Sequence, residues 1–420
     1  MRLCASLVLL HSQTLYGMGE QAKINISDGT HSMNLEAIQS ALQAAGLDGW
    51  LFYDHHHRDP IAYRILGLSD SLHITRRWFY LIPAHGEPKK LVHRVEQGRL
   101  DPLPGSKALY STWQELEAQL AVMLENCTRL AMQYSPRNAI MYVSMVDAGT
   151  VEVLRGLGKE IVSSADLVSH FEAVLNDAQI ASHYVAQQAL DAILAEGFRE
   201  IGRRVRAGGT TEFAMVGWLQ EAMRREDLVW DNGPNVSVNR NSSDSHYEPT
   251  AEKTAPIVVG DFLLIDIWAR KNSPGTVFYD ITWTGVVGRK PTTREQQVFD
   301  TVAAARDAAI QKVSQAYANN QAIAGWQADD AAREVIRAAG FEKYFTHRTG
   351  HNIATDIHGS GAHLDNFETH DERLILPNTC FSVEPGIYLP EFGVRSEVDM
   401  MTRPGEARVT GRIQKELVRI

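Results

Sequence analysis

Ile257-Val258-Val259-Gly260-Asp261-Phe262-Leu263-Leu264-Ile265-Asp266-Ile267-Trp268 reads as a turn followed by a strongly apolar strand with an acid inside it. After a Pro274-Gly275 turn, Tyr279-Asp280-Ile281-Thr282 returns with a second acid, fourteen residues on, as expected for two acids near one end of a hairpin. The device repeats downstream. Phe381-Ser382-Val383-Glu384-Pro385-Gly386-Ile387-Tyr388 reads as a strand that ends with Glu384, and Val394-Arg395-Ser396-Glu397-Val398 as its return with Glu397. Burying a carboxylate costs several kcal/mol unless a cation or hydrogen bonds compensate, and like charges add repulsion. For any one acid the ordinary reading is a strand end facing water. Four in apolar strands point instead to bound divalent metal, with two ions for four carboxylates.

Histidines reinforce that reading. Phe345 to His358 places His347, His351 and His358 at matched intervals in a turn-rich segment, and imidazole is both a metal ligand and an acid-base group. His246 lies in a polar loop before the first acid strand. The contiguous His55-His56-His57, beside Arg58 and Asp59, lacks partner acids. It is read as surface, or as a contribution to a substrate pocket across a subunit boundary.

A chain of 420 residues exceeds one ordinary core, so two domains are expected. Composition is globular, with 44% hydrophobic and 22% charged residues, and no apolar run of 18 or more residues predicts a membrane span. Lys and Arg number 41 against 51 Asp and Glu, a net charge of -10 that offers no basic face for nucleic acid. Cys4, Cys127 and Cys380 are odd in number and far apart, giving no disulfide framework and fitting a reducing compartment.

From Met33 to about Phe171 helix and strand alternate, without a phosphate-binding glycine loop. A long amphipathic helix follows from Asn176 or Asp177 to the Gly208-Gly209 breaker, a candidate seam between domains, and a shorter one from Thr211 to Arg225. Thr292 and Thr293 with Glu295 and Gln296 have capping-box spacing, and a further helix runs from Ala328 to Ala339. Leu3 to Leu10 weakly imitates a signal peptide, but no clear cleavage site follows it. Residues 1–32 are therefore read as a disordered extension or an over-long start, and the protein as cytoplasmic, with export left open.

The order Asp266, Asp280, His351, Glu384, Glu397 resembles the five-ligand dinuclear site of the pita-bread metallopeptidases, family M24. The most specific pieces are Gly350-His351, Glu384-Pro385-Gly386-Ile387-Tyr388 and Arg395-Ser396-Glu397. The N-terminal domain is similar to that of the creatinase, prolidase and aminopeptidase P branch. The resemblance spans roughly Met33 to Thr402. It implies an α+β protein: a creatinase-like α/β domain over 33–172, then a pseudo-two-fold pita-bread catalytic domain over 173–420.

It further implies that Asp280 and Glu397 bridge two metals, that Asp266 binds one, and that His351 and Glu384 complete the other. His246 and His358 would flank the scissile bond, and Glu384 would assist proton transfer. His347 would lie near the prolyl ring or product carboxylate, and Arg395 would hold the surrounding carboxylates. The implied activity is hydrolysis of the Xaa-Pro bond at the N-terminus of short peptides, of dipeptidase or aminopeptidase P type. Mn²⁺ is the favoured ion for so hard a ligand set, with Co²⁺ or Zn²⁺ as substitutes. A homodimer is implied, with no nucleic-acid or membrane partner. Departures exist: Trp283 replaces a usual Arg in Asp280-Ile281-Thr282-Trp283-Thr284, Ala354 replaces a common Gly, Gly359 replaces a common acid, and Lys271 to Thr276 lengthen the hairpin. Trp283 and Gly359 motivate one alternative, a metal-dependent lyase or non-peptide amidohydrolase on the same fold; a catalytically inactive binding protein is a further one, against which the intact ligand set weighs.

Overall fold

The computed structural model describes residues 33–420. The N-terminal extension, with Cys4, lies outside them. The chain separates into two compact units, divided between Glu172 and Ala173.

The first unit is built on a six-stranded mixed sheet. Its strands are β1 (Gly49–Asp54), β2 (Trp78–Pro83), β3 (Lys89–His93), β4 (Ser106–Tyr110), β5 (Arg129–Met132) and β6 (Glu160–Ser163), in the order β4-β3-β2-β1-β5-β6. Every residue of β1 is buried, because helices cover both faces. Trp50 and Phe52 share one core with Ile38 and Leu42 of helix α1 (Leu35–Ala44) and Ile61 of helix α2 (Pro60–Leu66). Leu51 and Tyr53, on alternate positions, share the other with Leu116 and Leu120 of helix α3 (Trp113–Met123) and Leu154 of helix α4 (Ala148–Gly156). The aromatics of β1 and β2 thus fill these two cores, and truncating Trp50 to Ala would cost about 3–5 kcal/mol. The polyhistidine loop leaves β1 under control of Asp54. That carboxylate accepts hydrogen bonds from the amides of His57 (3.1 Å) and Arg58 (2.7 Å) and from the Tyr63 hydroxyl (2.7 Å).

The second unit has two halves of similar construction. In the first half, β8 (Phe262–Lys271) pairs antiparallel with β7 (Asn235–Val238) and with β9 (Tyr279–Val286). One face carries Val236, Ile265, Ile267 and Ile281. They pack with Leu190, Leu194 and Phe198 of α5 (Asp177–Arg206) and Met215 and Leu219 of α6 (Glu212–Arg225). The long α5 is opened by an Asn176–Gln179 capping box, as its sequence suggests. Cross-strand register sets the opposite face: Asn235, Asp266 and Thr282 form one row, and Trp268 and Asp280 the next. Gly233 falls beneath the Trp268 ring, where a Cβ would come within 2.4 Å.

In the second half, β10 (Cys380–Val383) pairs antiparallel with β13 (Val398–Arg403), and β11 (Gly386–Tyr388) with β12 (Gly393–Arg395). Helices α7 (Thr293–Ala318) and α8 (Gly325–Ala338) cover them through a core that includes Phe299, Val302, Ile336, Val383 and Met400. The sequence suggested a strand ending at Glu384 and a return strand running through Glu397. The first does end there, whereas the second is interrupted at Glu397. Pro385 has no N–H to continue the first ladder, and the Glu397 amide leaves its own half to bond Thr282 O of β9 at 3.1 Å. α8 also starts before Ala328, because the Gln327 side chain caps the Ala324 amide at 2.9 Å. The added residues Lys271 to Thr276 close on themselves, with Thr276 Oγ1 donating to Lys271 O at 2.6 Å.

Candidate metal centre

The two halves meet at a pocket of about 350 Å³. Into it point Asp266 and Asp280 from β8 and β9, Glu384 and Glu397 from the two strand breaks, and His351 from the turn before residues 352–353. His351 Nε2 lies 3.4 Å from Glu384 Oε1 and 3.7 Å from Asp280 Oδ2. His351 Nδ1 donates weakly to Asn352 O (3.3 Å), which turns the Nε2 lone pair toward the carboxylates. Asp280, His351 and Glu397 offer ligand atoms within 4.8 Å of one another.

Donors are scarce in this cluster. Thr282 Oγ1 has a single proton between Glu397 Oε2 (2.6 Å) and Asp266 Oδ1 (2.9 Å), and itself accepts from Arg395 Nε at 3.0 Å. The guanidinium of Arg395 pairs with the second oxygen of Asp266 and lies 3.9 Å from Glu384. Asp280 Oδ1 and Glu397 Oε1 are buried with no donor at all. Burial, then repulsion from Asp266 and Asp399, pushes the Asp280 carboxyl well above the ordinary range. Glu397 is pushed up by burial and by Asp280. Glu384 rises to about 7 through burial, with Arg395 opposing and Asp266 adding. Asp266 is raised by burial, against Arg395. His351 is driven well below the ordinary range by burial and then by His358, so it is neutral. Four acceptor-rich carboxylates, two with orphaned oxygens, and one neutral imidazole fit divalent cations of hard character.

The remaining sequence candidates are placed as follows. His246 is exposed and lines the pocket, its amide bonded to Asp244. His358 also lines it, its ring 4.3 Å from that of His351. His347 borders the pocket with both ring nitrogens engaged: Nδ1 donates to Arg348 O (2.6 Å) and Nε2 accepts from the Tyr388 hydroxyl (2.7 Å). Its pKa falls to about 3, chiefly by burial. Trp283 points to the opposite face of β9 and packs with α5 and α6, away from the pocket. Gly359 has no room for the acid common at that place, since a Cβ would lie 2.3 Å from Asn352 Oδ1. None of residues 271–276 lines the pocket.

Sequence reasoning passed over several residues. Ser382 Oγ accepts from the His351 amide (2.9 Å) and donates to Glu384 Oε1 (3.1 Å). Asp399 Oδ2 accepts from the Asp280 amide at 2.9 Å. Asp329 of α8, fully buried, fixes Thr349 through its amide (2.9 Å) and hydroxyl (2.5 Å), two residues before His351. Ser382 and Asp399 each stand two residues from a candidate ligand, and that spacing was the available signal. A second grouping, His183, Cys380 and Asp399, is close enough to suggest an ion. Its hydrogen bonds argue otherwise. His183 Nδ1 must donate to Phe278 O (2.6 Å), and Nε2 takes the Thr410 hydroxyl (2.9 Å), so no ring lone pair is left for a metal.

Residues 182–404, more than half of the chain, match the model of metallopeptidase family M24, and the chain belongs to that family. It is 24% identical over 247 residues to an Xaa-Pro dipeptidase of Lactobacillus delbrueckii subsp. lactis, covering 57% of this chain and 61% of that protein. It is 30% identical over 161 residues to an Xaa-Pro dipeptidase of Pyrococcus furiosus, covering 38% and 42% respectively. The chain spans about half the length of the curated relatives it matches. In overall fold it is similar to the crystal structure of dipeptidase PepE from Mycobacterium ulcerans, with a TM-score of 0.67 and 23% identity over 92% of this chain and 96% of that one. The α+β pita-bread architecture is therefore that of a metallopeptidase family. Among the described residues, no helix is long and apolar enough to cross a membrane.

Proposed function

We propose that the protein is a dinuclear metal-dependent hydrolase of Xaa-Pro bonds at the N-terminus of short peptides. One observation carries the reading: two hairpin-like devices deliver four carboxylates and His351 to one pocket, with Asp280 Oδ1 and Glu397 Oε1 buried and unpartnered. Asp266, Asp280, His351, Glu384 and Glu397 would hold the two ions, with Asp280 and Glu397 as the ligands shared between them. Mn²⁺ is the favoured ion. When bound, such ions acidify water and polarise a carbonyl oxygen.

The chain's own groups supply the rest. Glu384, whose Oε1 lies 3.4 Å from His351 Nε2 and accepts from the Ser382 hydroxyl, would assist proton transfer at the pocket. His246 and His358 stand at the pocket, where an imidazole N–H offsets charge developing on a carbonyl oxygen. Arg395 and Thr282 hold Asp266 and Glu397 in place. His347, fixed by Tyr388, presents its ring to the pocket as a wall for the prolyl side.

A homodimer, in which the His55-His56-His57-Arg58 loop covers a partner's pocket, belongs to the same proposal. Sedimentation at micromolar concentration tests it, and an active 46.8 kDa monomer overturns it. For the activity, Xaa-Pro and Xaa-Pro-Yaa peptides are offered to Mn²⁺-loaded and chelated protein. Metal-dependent cleavage before proline is expected, and the relative rates separate dipeptidase from aminopeptidase. Failure to cleave either class, with metal bound, refutes the activity.

A further inference from the structure

The loop between β7 and β8 carries His246, exposed at the pocket. The His246 amide donates to Asp244 Oδ1 at 3.1 Å, a bond that travels with the loop and cannot place the ring. Its two neighbours are tied to fixed elements instead. On one side Arg395 donates to Ser245 O at 3.4 Å. On the other, Tyr247 is buried, and its hydroxyl donates to Glu212 Oε2 at 2.8 Å. Glu212 is the first residue of α6, is 0% exposed, and does not line the pocket. A carboxylate buried so deeply is costly unless donors surround it. Four neutral donors do: the Val238 amide (2.8 Å), the Asn241 carboxamide (3.0 Å), the Tyr247 hydroxyl and the Ala255 amide (2.7 Å). Val238 ends β7, and the other three lie along the loop. One side chain thus gathers the loop's start, middle and end onto the N-terminus of a helix, where the dipole also favours its charge. Between the anchored Ser245 and Tyr247 stands His246.

We infer that Glu212 is a positioning residue: through Tyr247 it holds the His246 imidazole where its N–H meets charge developing on the scissile carbonyl oxygen. This rests on the proposed peptidase reading and deepens it. Glu212→Gln keeps the shape but exchanges one acceptor for an NH2 group. Whichever way that amide turns, the NH2 faces a backbone N–H, of Val238 at Oε1 or of Ala255 at Oε2. The loop then loses its gathering point. Tyr247→Phe cuts the link more narrowly, removing one hydroxyl and keeping the ring.

The test is a double-mutant cycle against His246→Ala, on the Mn²⁺-loaded full chain with Ala-Pro as substrate. Glu212→Gln and Tyr247→Phe should each lower kcat about tenfold, part of the roughly 10²-fold lost with the imidazole itself. KM should change by less than about twofold, because the misplaced contact is one made in the transition state. In the His246→Ala background the same two changes should lower kcat by less than about twofold. Metal content should stay near that of wild type throughout. Equal losses in both backgrounds, or a loss carried mainly by KM, make Glu212 a structural anchor only and overturn the inference. So does wild-type kcat in Glu212→Gln with a loss in Tyr247→Phe alone, since Tyr247 lines the pocket and Glu212 does not. Hydrogen exchange over residues 239–255 in Tyr247→Phe decides if Glu212→Gln does not fold: faster exchange confined to that loop is expected, and unchanged protection overturns the inference. Should wild type cleave no Xaa-Pro peptide, the peptidase reading fails, and the same exchange measurement still decides whether Glu212 holds the His246 loop.

Discussion

Replacing Glu384 by Gln should stabilise the metal-free protein and weaken it once metal is bound. In the folded chain the carboxyl is lifted from its ordinary 4.5 to about 7, first by burial. A raised acid pKa means that the folded state holds the proton more tightly than the unfolded one. Its contribution is complete below about pH 4.5 and is lost as pH rises through about 7. Two and a half units correspond to about 3 kcal/mol of destabilisation at pH 8 as an upper bound. Gln has nearly the same shape, carries no charge, and can still accept from Ser382 Oγ, 3.1 Å away. Glu384→Gln should therefore melt higher than wild type in EDTA at pH 8, by up to roughly 10 °C for a unit of this size. The advantage should shrink toward zero at pH 5. With saturating Mn²⁺ the order should reverse, because wild type gains binding energy through a ligand that Gln supplies poorly. Differential scanning calorimetry under the three conditions is sufficient. A variant less stable than wild type in EDTA at pH 8 would refute the idea that this carboxylate is frustrated without a cation.

Asp280→Ala should lose both metals together, and His351→Ala preferentially one, as read by metal analysis of purified variants; two retained equivalents in Asp280→Ala would remove it from the bridging position. His246→Ala and His358→Ala should keep near wild-type metal while kcat/KM falls by roughly 10²-fold; metal loss matching that of His351→Ala would promote either into the ligand set. In the N-terminal unit, burial and then the Asp54 charge raise Asp59 to about 7. Asp59 caps α2 through the Ala62 amide at 3.0 Å while its Oδ2 has no partner. Asp59→Asn keeps the cap and should cancel a loss of stability, up to about 4 kcal/mol, that wild type suffers between pH 4 and pH 7; urea titrations with unchanged pH slope would contradict this.

The strands around the acids were legible because their apolar runs are long and a buried acid interrupts them. Asp266 and Asp280 stand where that pattern places them, and the cross-strand register brings them to one face. Less legible was anything set by one backbone bond between distant segments. The strand end at Glu384 was read, but the break at Glu397 depends on an amide that crosses to Thr282 O, and periodicity does not reveal such a crossing. Ser382 and Asp399 were overlooked for the same reason: each acts through a main-chain amide of a residue 31 or 119 positions away. His183, Cys380 and Asp399 show the converse, since proximity suggests a site that the hydrogen bonds close. Trp283 and Gly359 looked like departures bearing on substrate, yet one faces the helices and the other makes room for Asn352.

The dinuclear assignment is tested most directly by titrating the chelated full-length protein with Mn²⁺ while following both binding and Ala-Pro hydrolysis. Two equivalents are expected, with activity absent in EDTA and appearing as the sites fill. Hydrolysis undiminished in EDTA, or saturation at one equivalent with full activity, would contradict it.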